Sequence, residues 1–205
     1  MPIYLFGDTE TTGFAKKKLG LIQAGQARVC QQAMMLTDGD GRSLAEISHM
    51  IKPDNWAIGA EAGAIHGFTN DHCEKYGISS KSAYVIFAQM ASKADYLVAH
   101  NAEFDRYMWE IEAAYHGMEF PKTPWLCTKE LATPIMAIPP TEKMLQYAFT
   151  RDKFKSPNLE EAVQFFCNRS LGDGAHDAMF DVKGCKDVFF AINPHAEIAP
   201  SQMIW

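Results

Sequence analysis

The sequence predicts an α/β protein with a mixed five-stranded sheet flanked by helices. Three β-type apolar runs come first in the chain, and later apolar runs alternate with helix-type segments. A strand meander followed by alternating strands and helices is typical of one α/β domain with both antiparallel and parallel pairs. A length of 205 residues suits a single domain with a full hydrophobic core. We therefore expect one domain over residues 1–205, with a core at about 3–192 and a short tail at 194–205.

The first three strands are predicted from β-branched and aromatic residues between turn signals, at 3–6, 29–36 and 43–51. Asp-Gly-Asp-Gly at 38–41 joins the last two strands. This sequence also resembles the start of a calcium loop, but an EF-hand beginning at Asp38 needs Glu at position 49, where the chain has His49. We therefore expect a hairpin turn at 38–41. A loop that ends near residue 26 is expected between the first and second strands.

The rest of the chain alternates helices with short strands. Apolar positions 83, 86, 87 and 90 share one face of a predicted helix at 80–93. Asn158 or Ser156 is placed to cap a helix at 159–167, and a glycine-rich turn at 172–174 precedes the last helix. Four further helices are predicted: one at 59–66, one at 100–115, one from Thr128 that stops before Pro134, and one that ends at Leu145. Strands are predicted at 96–99 and 125–127.

Composition narrows the function. The net charge of −6 argues against a protein that coats nucleic acid, but not against an enzyme with metal-binding acids. Five cysteines without a CxxC pair indicate reduced thiols. The N-terminus lacks the features of a signal peptide and no apolar run is long enough to cross a membrane. We expect a soluble cytoplasmic protein that does not contact membranes.

Two carboxylates lie at the end of the first predicted strand. Residues i and i+2 of a strand point to the same face, so Asp8 and Glu10 converge if the strand continues through Thr9. Paired acids repel each other unless a cation lies between them, and carboxylate oxygens are preferred ligands of Mg²⁺. From these residues alone, a solvated strand end explains the pattern about as well as a metal site.

Three further polar residues extend this pattern. Asp105 follows the fourth predicted strand, and His176 and Asp181 follow the glycine-rich turn at the start of the last helix. Because functional sites in open α/β sheets lie at the carboxyl ends of strands, these residues are expected to meet at one edge. Histidine has an unperturbed pKa of about 6.5 and suits a general base at neutral pH.

Taken together, three motifs resemble those of the DnaQ-like exonucleases of the DEDDh subtype. They are Asp8-Thr9-Glu10-Thr11-Thr12-Gly13, then His100-Asn101 with Phe104-Asp105, then His176 with Ala178 and Asp181. Ile65-His66-Gly67 and Trp125-Leu126-Cys127-Thr128 resemble two intervening family segments, so the likeness spans about residues 3–192. The resemblance implies a ribonuclease-H-like three-layer fold and a 3′–5′ exonuclease.

The resemblance also implies a role for each matched residue. Asp8, Glu10, Asp105 and Asp181 would bind two divalent cations, Mg²⁺ or Mn²⁺, and His176 would be the general base. The implied substrate is a single strand or 3′ end of nucleic acid, DNA in preference to RNA, and a replication or repair protein is a possible partner. The residues implied in substrate binding are Thr9, Thr11, Thr12, Ile65, His66, Asn101 and Phe104.

Three alternatives remain open at this point. An exoribonuclease acting on short RNA would carry the same motifs, because none of them indicates whether the protein binds or excludes the 2′-hydroxyl of ribose. A non-catalytic binding module could share the fold. Gly172-Asp173-Gly174 also resembles a motif of haloacid-dehalogenase-type phosphatases, but that family has Asp where this chain has Glu10 and Asn where it has His176. The sequence does not specify strand preference, processivity or oligomeric state.

Overall fold

The computed structural model describes residues 1–151, 153–172, 177–193 and 203–204. The strands in this part of the chain are β1 (Tyr4–Thr11), β2 (Val29–Thr37), β3 (Ser43–Met50), β4 (Tyr96–Ala99), β5 (Trp125–Cys127) and β6 (Met203–Ile204). The helices are α1 (Ala60–His66), α2 (Asn70–Tyr76), α3 (Ser80–Ala91), α4 (Ala102–Tyr115), α5 (Thr128–Met136), α6 (Glu142–Leu145), α7 (Leu159–Cys167) and α8 (Ala178–Ile192).

The strands form one mixed sheet in the order β3-β2-β1-β4-β5-β6. β1 pairs antiparallel with β2 and parallel with β4, so the meander and the alternating half meet at β1. The five predicted strands are confirmed, and a sixth was missed. Met203 and Ile204 of the tail pair antiparallel with Leu126 and Trp125, so this part of the tail is folded onto the sheet.

Alternation along β1 separates two hydrophobic layers. Tyr4 and Phe6 contact α8, whereas Leu5 lies in the layer covered by α3 and α4. In that second layer the rings of Phe87 and Trp109 stack in parallel with centroids 4.2 Å apart. Burying one such side chain contributes about 1.5–3 kcal/mol. The same alternation determines to which face of the sheet the β1 side chains after Phe6 point, and therefore which helix each of them contacts.

Several local predictions are confirmed by turn and cap geometry. At the hairpin turn, Asp38 Oδ1 accepts bonds from the backbone N–H groups of Asp40 and Arg42, and Gly41 has φ of 81°. Asn158 caps α7 in a reciprocal capping box with Glu161. The Asn158 side chain, which accepts a hydrogen bond from the backbone N–H of Glu161, therefore fixes the start of α7 where the sequence placed it.

Two predictions about helices were wrong or incomplete. α5 does not stop before Pro134 but continues to Met136, with a left-handed residue, Ala137, at its end. A proline in the last turn removes only one backbone bond, so the helix ends after it rather than before it. Helix α2 was not predicted, although Thr69 accepts a bond from the backbone of His72 and caps it. Among the described residues, no helix is both long and apolar enough to span a bilayer.

Candidate active site

The strand conformation of β1 persists through Thr9 to Thr11, as convergence of the two acids requires. Asp8 and Glu10 continue the alternation of Tyr4 and Phe6, so both side chains face α8. α8 begins at Ala178 and carries Asp181 in its first turn. One oxygen from each of Asp8, Glu10 and Asp181 lies within 4.8 Å of the other two. We call these three residues the carboxylate cluster.

Asp105 lies beside the carboxylate cluster but is not part of it. Its Oδ1 accepts a bond from the hydroxyl of Thr9 (2.8 Å) and another from the Thr9 backbone N–H (3.1 Å). Thr9 has the opposite parity from Asp8 on β1 and faces α4, whose first turn carries Asp105. The fourth predicted acid therefore approaches the strand from the other side of the sheet. The structure brings it next to the other acids through Thr9.

Burial and the mutual repulsion of the acids both raise pKa values at this site. Burial, followed by the charges of Asp181, Asp105 and Asp177, raises the pKa of Glu10 from 4.5 to about 8. Burial and then the charge of Asp105 raise the pKa of Asp8 well above its usual range. Burial also raises the pKa of Asp105, against the lowering effect of its two bonds from Thr9.

The donor set fits a hard divalent cation. Oxygen donors from three carboxylates lie close together, and none of the ion pairs among the described residues involves Asp8 or Glu10. The helical acids lie in the first turns of α4 and α8, where the helix N-terminus stabilises negative charge. Positive charge placed among these oxygens would relieve the repulsion that, together with burial, raises the pKa values of these acids.

A cleft of about 620 Å³ opens beside Glu10, between the end of β1, α1 and the start of α4. It contains six of the seven residues that the sequence assigned to substrate binding. These are Thr9, Thr11, Thr12, Ile65, His66 and Phe104. The seventh, Asn101, does not line it: its side-chain oxygen accepts a bond from Lys129, and its backbone is left-handed with φ of 82°.

The threonine hydroxyls are bonded within the protein. Thr11 donates to the carbonyl of Gly13 (2.9 Å), and Thr12 accepts from the backbone N–H of Arg28 (3.0 Å). Together with the Thr9 bond to Asp105, these contacts hold the loop that forms the cleft wall. The hydroxyls predicted as substrate donors thus shape the cleft in this structure.

His66 is a buried part of the cleft wall. Its Nδ1 accepts a bond from the backbone N–H of Phe68 (3.1 Å), its Nε2 lies 3.8 Å from the sulfur of Cys30, and its ring stacks on Phe68. Ile65, by contrast, is 56% exposed at the cleft. The isoleucine is therefore the more accessible of the two adjacent predicted residues.

Phe14 is a cleft residue that the sequence analysis missed. Its side chain is 85% exposed and meets the edge of Phe104, with ring centroids 6.4 Å apart. Exposed apolar side chains that are grouped at a cleft often mark a binding site. The available signal was an aromatic residue directly after Gly13, the last residue of the first motif.

His176, the predicted general base, lies outside the described residues, as does the glycine-rich turn from Asp173 onward. His100, at the start of the second motif, is described and is structural: it contacts the Thr128 hydroxyl at 2.9 Å and the Pro157 carbonyl at 3.2 Å. Burial lowers the pKa of His100 to about 4.

A family model described as "Exonuclease" (RNase T) matches residues 5–189. The chain belongs to the exonuclease family. This match confirms the resemblance and does not support the phosphatase alternative. Members of the family with this fold use divalent metal ions, which agrees with the donor set of the carboxylate cluster. Among curated proteins, none matches the sequence significantly.

Solved structures with the same fold include three exonucleases. E. coli exonuclease I in complex with a dA16 oligonucleotide is 18% identical, with a TM-score of 0.72 over 96% of this chain and 42% of that one. Exonuclease I from Methylocaldum szegediense is 16% identical, with a TM-score of 0.71 over 96% and 41%. Exonuclease X in complex with 5′ overhanging duplex DNA is 21% identical, with a TM-score of 0.59 over 98% and 96%.

These similarities establish the fold and a difference in size. The chain spans about 42% of the length of the exonuclease I structures and nearly the whole of exonuclease X. The ribonuclease-H-like fold expected from the motifs is confirmed, and the described part of the chain places six strands in the sheet rather than the five expected.

Proposed function

We propose that the protein is a metal-dependent 3′–5′ exonuclease that releases nucleoside monophosphates from the 3′ ends of DNA. The observation that carries this proposal is the carboxylate cluster, in which three acids from β1 and α8 present oxygens within 4.8 Å of one another. The exonuclease family match supports the reaction class. The same proposal takes residues 1–205 as one exonuclease domain with its core at about 3–192.

Asp8, Glu10 and Asp181 would hold two divalent cations, with Asp105 as the fourth acid. Bound Mg²⁺ or Mn²⁺ would supply positive charge that stabilises the attacking and leaving oxygens of an in-line displacement at phosphorus. Thr9 contributes indirectly, because its two bonds fix Asp105 Oδ1 against β1. Four carboxylates roughly balance the charge of two such cations, so the site with both cations bound would no longer repel a phosphate through its net charge.

The proton of the attacking water needs an acceptor, and His176 is proposed for that role. It lies one residue before Asp177, which caps the helix that carries Asp181. A neutral imidazole accepts a proton efficiently near pH 7, and general base catalysis contributes about 10²–10⁴-fold in rate. We expect His176→Ala to lose activity within that range and to flatten the acidic limb of the pH–rate profile.

The cleft beside Glu10 would hold the terminal nucleotide. Its volume of about 620 Å³ lies within the range of small-ligand sites. Phe14, Ile65 and Phe104 supply apolar walls for the base and sugar, and stacking on an aromatic ring contributes about 1–3 kcal/mol per base. The structural neighbours that hold single-stranded DNA and overhanging duplex DNA support DNA as the substrate.

The proposal is tested by digesting single-stranded DNA and RNA of the same sequence, each labelled at the 5′ end, with Mg²⁺ or with a chelator. We expect a metal-dependent ladder that shortens from the 3′ end, faster on DNA, and absent with Asp181→Ala. Faster digestion of RNA would make the protein an exoribonuclease. No cleavage of either polymer, with both still bound, would make it a non-catalytic binding module.

A further inference from the structure

A buried glutamine on β2 connects the sheet to the end of α8 that carries Asp181. Gln31 is only 4% exposed and lies opposite Glu10 in the antiparallel register of β1 and β2. Side chains directly opposite on such a pair point to the same face. Gln31 therefore points to the side of the sheet on which the carboxylate cluster lies.

Both ends of the Gln31 amide contact the start of α8. Its Oε1 accepts a bond from the backbone N–H of Ala178 (3.1 Å), and its Nε2 donates to Asp177 Oδ2 (3.3 Å). Ala178 N–H is one of the helix N-terminal donors that have no partner within the helix. The amide thus satisfies a helix-end donor and a carboxylate with one planar group.

The contact reaches Asp181 through Asp177. Asp177 Oδ1 accepts a bond from the backbone N–H of Met179, which caps the helix, and the Asp177 carbonyl accepts from the backbone N–H of Asp181 (3.2 Å). The bonded path from Gln31 to the backbone of Asp181 has one residue in between. A change in the position of the helix end would move Asp181 relative to Glu10 and Asp8.

The bond from Gln31 Nε2 to Asp177 Oδ2 also restrains the position of the Asp177 carboxylate. Asp177 lies at the N-cap of α8, four positions before Asp181, but it is not one of the three clustered carboxylates. Its two oxygens are engaged by Gln31 and by the helix end. A fifth acid is thus held at the helix cap and away from the cluster.

We propose that Gln31 is a positioning residue, which holds Asp181 in register with Glu10 and Asp8 and keeps Asp177 bonded to the helix cap. The inference rests on the proposed function, because it assigns to Gln31 a role in divalent cation binding by that site. Groups that orient metal ligands through hydrogen bonds typically change metal affinity by about 10–100-fold when removed. Since Gln31 acts through Asp177, we expect an effect of about tenfold.

The neighbouring residue provides a matched control. Gln32 is buried like Gln31, but its side chain points to the opposite face of the sheet, where its Nε2 donates to the Ala83 carbonyl (3.0 Å) and contacts His49. Gln32→Leu and Gln31→Leu each remove one buried amide from adjacent positions of β2. Only the second removes contacts with α8.

The experiment is calorimetric titration of Mn²⁺ into nucleic-acid-free protein, with urea unfolding of each variant. We expect Gln31→Leu to raise the Mn²⁺ dissociation constant about tenfold and Gln32→Leu to leave it within twofold of wild type, although both lower stability. Gln31→Glu, which keeps an acceptor for Ala178 but places a carboxylate against Asp177, should weaken binding at least as much as Gln31→Leu.

Wild-type affinity in Gln31→Leu, or equal weakening in Gln32→Leu, would overturn the positioning role. If Gln31→Leu does not fold, the same comparison is made between Gln31→Glu and wild type, where affinity within twofold would overturn it. A wild-type protein that binds no Mn²⁺ would contradict the proposed function itself. The two failures are therefore distinguishable.

Discussion

Replacing Glu10 by glutamine should stabilise the metal-free protein at high pH. Burial and neighbouring acids raise the pKa of Glu10 from 4.5 to about 8, so the folded protein holds this proton more tightly than the unfolded chain. A folded pKa above the unfolded one gives stability that is present below pH 4.5 and is lost as pH rises to about 8. The amide in Glu10→Gln does not titrate and avoids that loss.

The size of the effect follows from the two pKa values. At about 1.36 kcal/mol per pH unit, the interval from 4.5 to about 8 corresponds to a limit of about 5 kcal/mol. Partial solvent screening reduces this limit. We therefore expect the free energy of unfolding of Glu10→Gln to exceed that of wild type by about 2–5 kcal/mol at pH 9 in chelator and by about 1 kcal/mol or less at pH 5. Adding Mg²⁺ should stabilise wild type at pH 9 by more than it stabilises Glu10→Gln, which keeps only Asp8, Asp105 and Asp181 as acids at the site.

The assay is urea unfolding at pH 5 and pH 9, with chelator or Mg²⁺ and with a reductant to protect the five cysteines. Glu142→Gln, an acid-to-amide change at an exposed position of α6, is the control and should follow wild type at both pH values. A Glu10→Gln protein that is less stable than wild type at pH 9 in chelator, or equally shifted at both pH values, would refute the electrostatic reasoning.

Three stability predictions concern contacts away from the carboxylate cluster, each measured by urea unfolding. Glu112→Gln breaks a buried bidentate ion pair with Arg28, whose two N–O distances are both 2.8 Å, and should cost about 3–5 kcal/mol; a cost under 1 kcal/mol would show that the pair is dispensable. Gly77→Ala places a Cβ against the Cys73 carbonyl and the Lys52 nitrogen and should cost at least about 1–3 kcal/mol, whereas Gly20→Ala, with open space around it, should stay within about 0.5 kcal/mol. Asn158→Ala removes the capping box of α7 and should lower the free energy of unfolding by about 1 kcal/mol, whereas Asn158→Ser should keep most of the stabilisation by the cap. Equal losses in the two variants would argue against the cap.

Local chemistry allowed much of the fold and the acid pair to be predicted. The parity of Asp8 and Glu10 follows from strand geometry once β1 extends through Thr9. The Asn158 cap and the left-handed Gly67 fix the helix ends that the sequence indicated. In each case the residue that determines the conformation lies within a few positions of the element it controls.

Contacts between distant parts of the chain could not be predicted in the same way. β6 has two residues and exists because β5 offers an edge to pair with. Gln31 reaches Ala178 across 147 positions, and Arg28 reaches Glu112 across 84. Asp105 was predicted to lie with the other acids at one edge of the sheet, and the bond from Thr9 that holds it there depends on α4 packing on the opposite face of the sheet from α8.

The most direct test of the proposed 3′–5′ exonuclease measures from which end DNA is digested and whether that digestion requires the carboxylate cluster. Two copies of one DNA strand, both labelled at the 5′ end, are digested in Mg²⁺, and one copy carries a nuclease-resistant linkage at its 3′ terminus. The account predicts a ladder from the open 3′ end, little product from the blocked strand, and no product from either with Asp8→Asn, whose folding is checked by circular dichroism. Equal digestion of the blocked strand, or wild-type cleavage by Asp8→Asn, would contradict it.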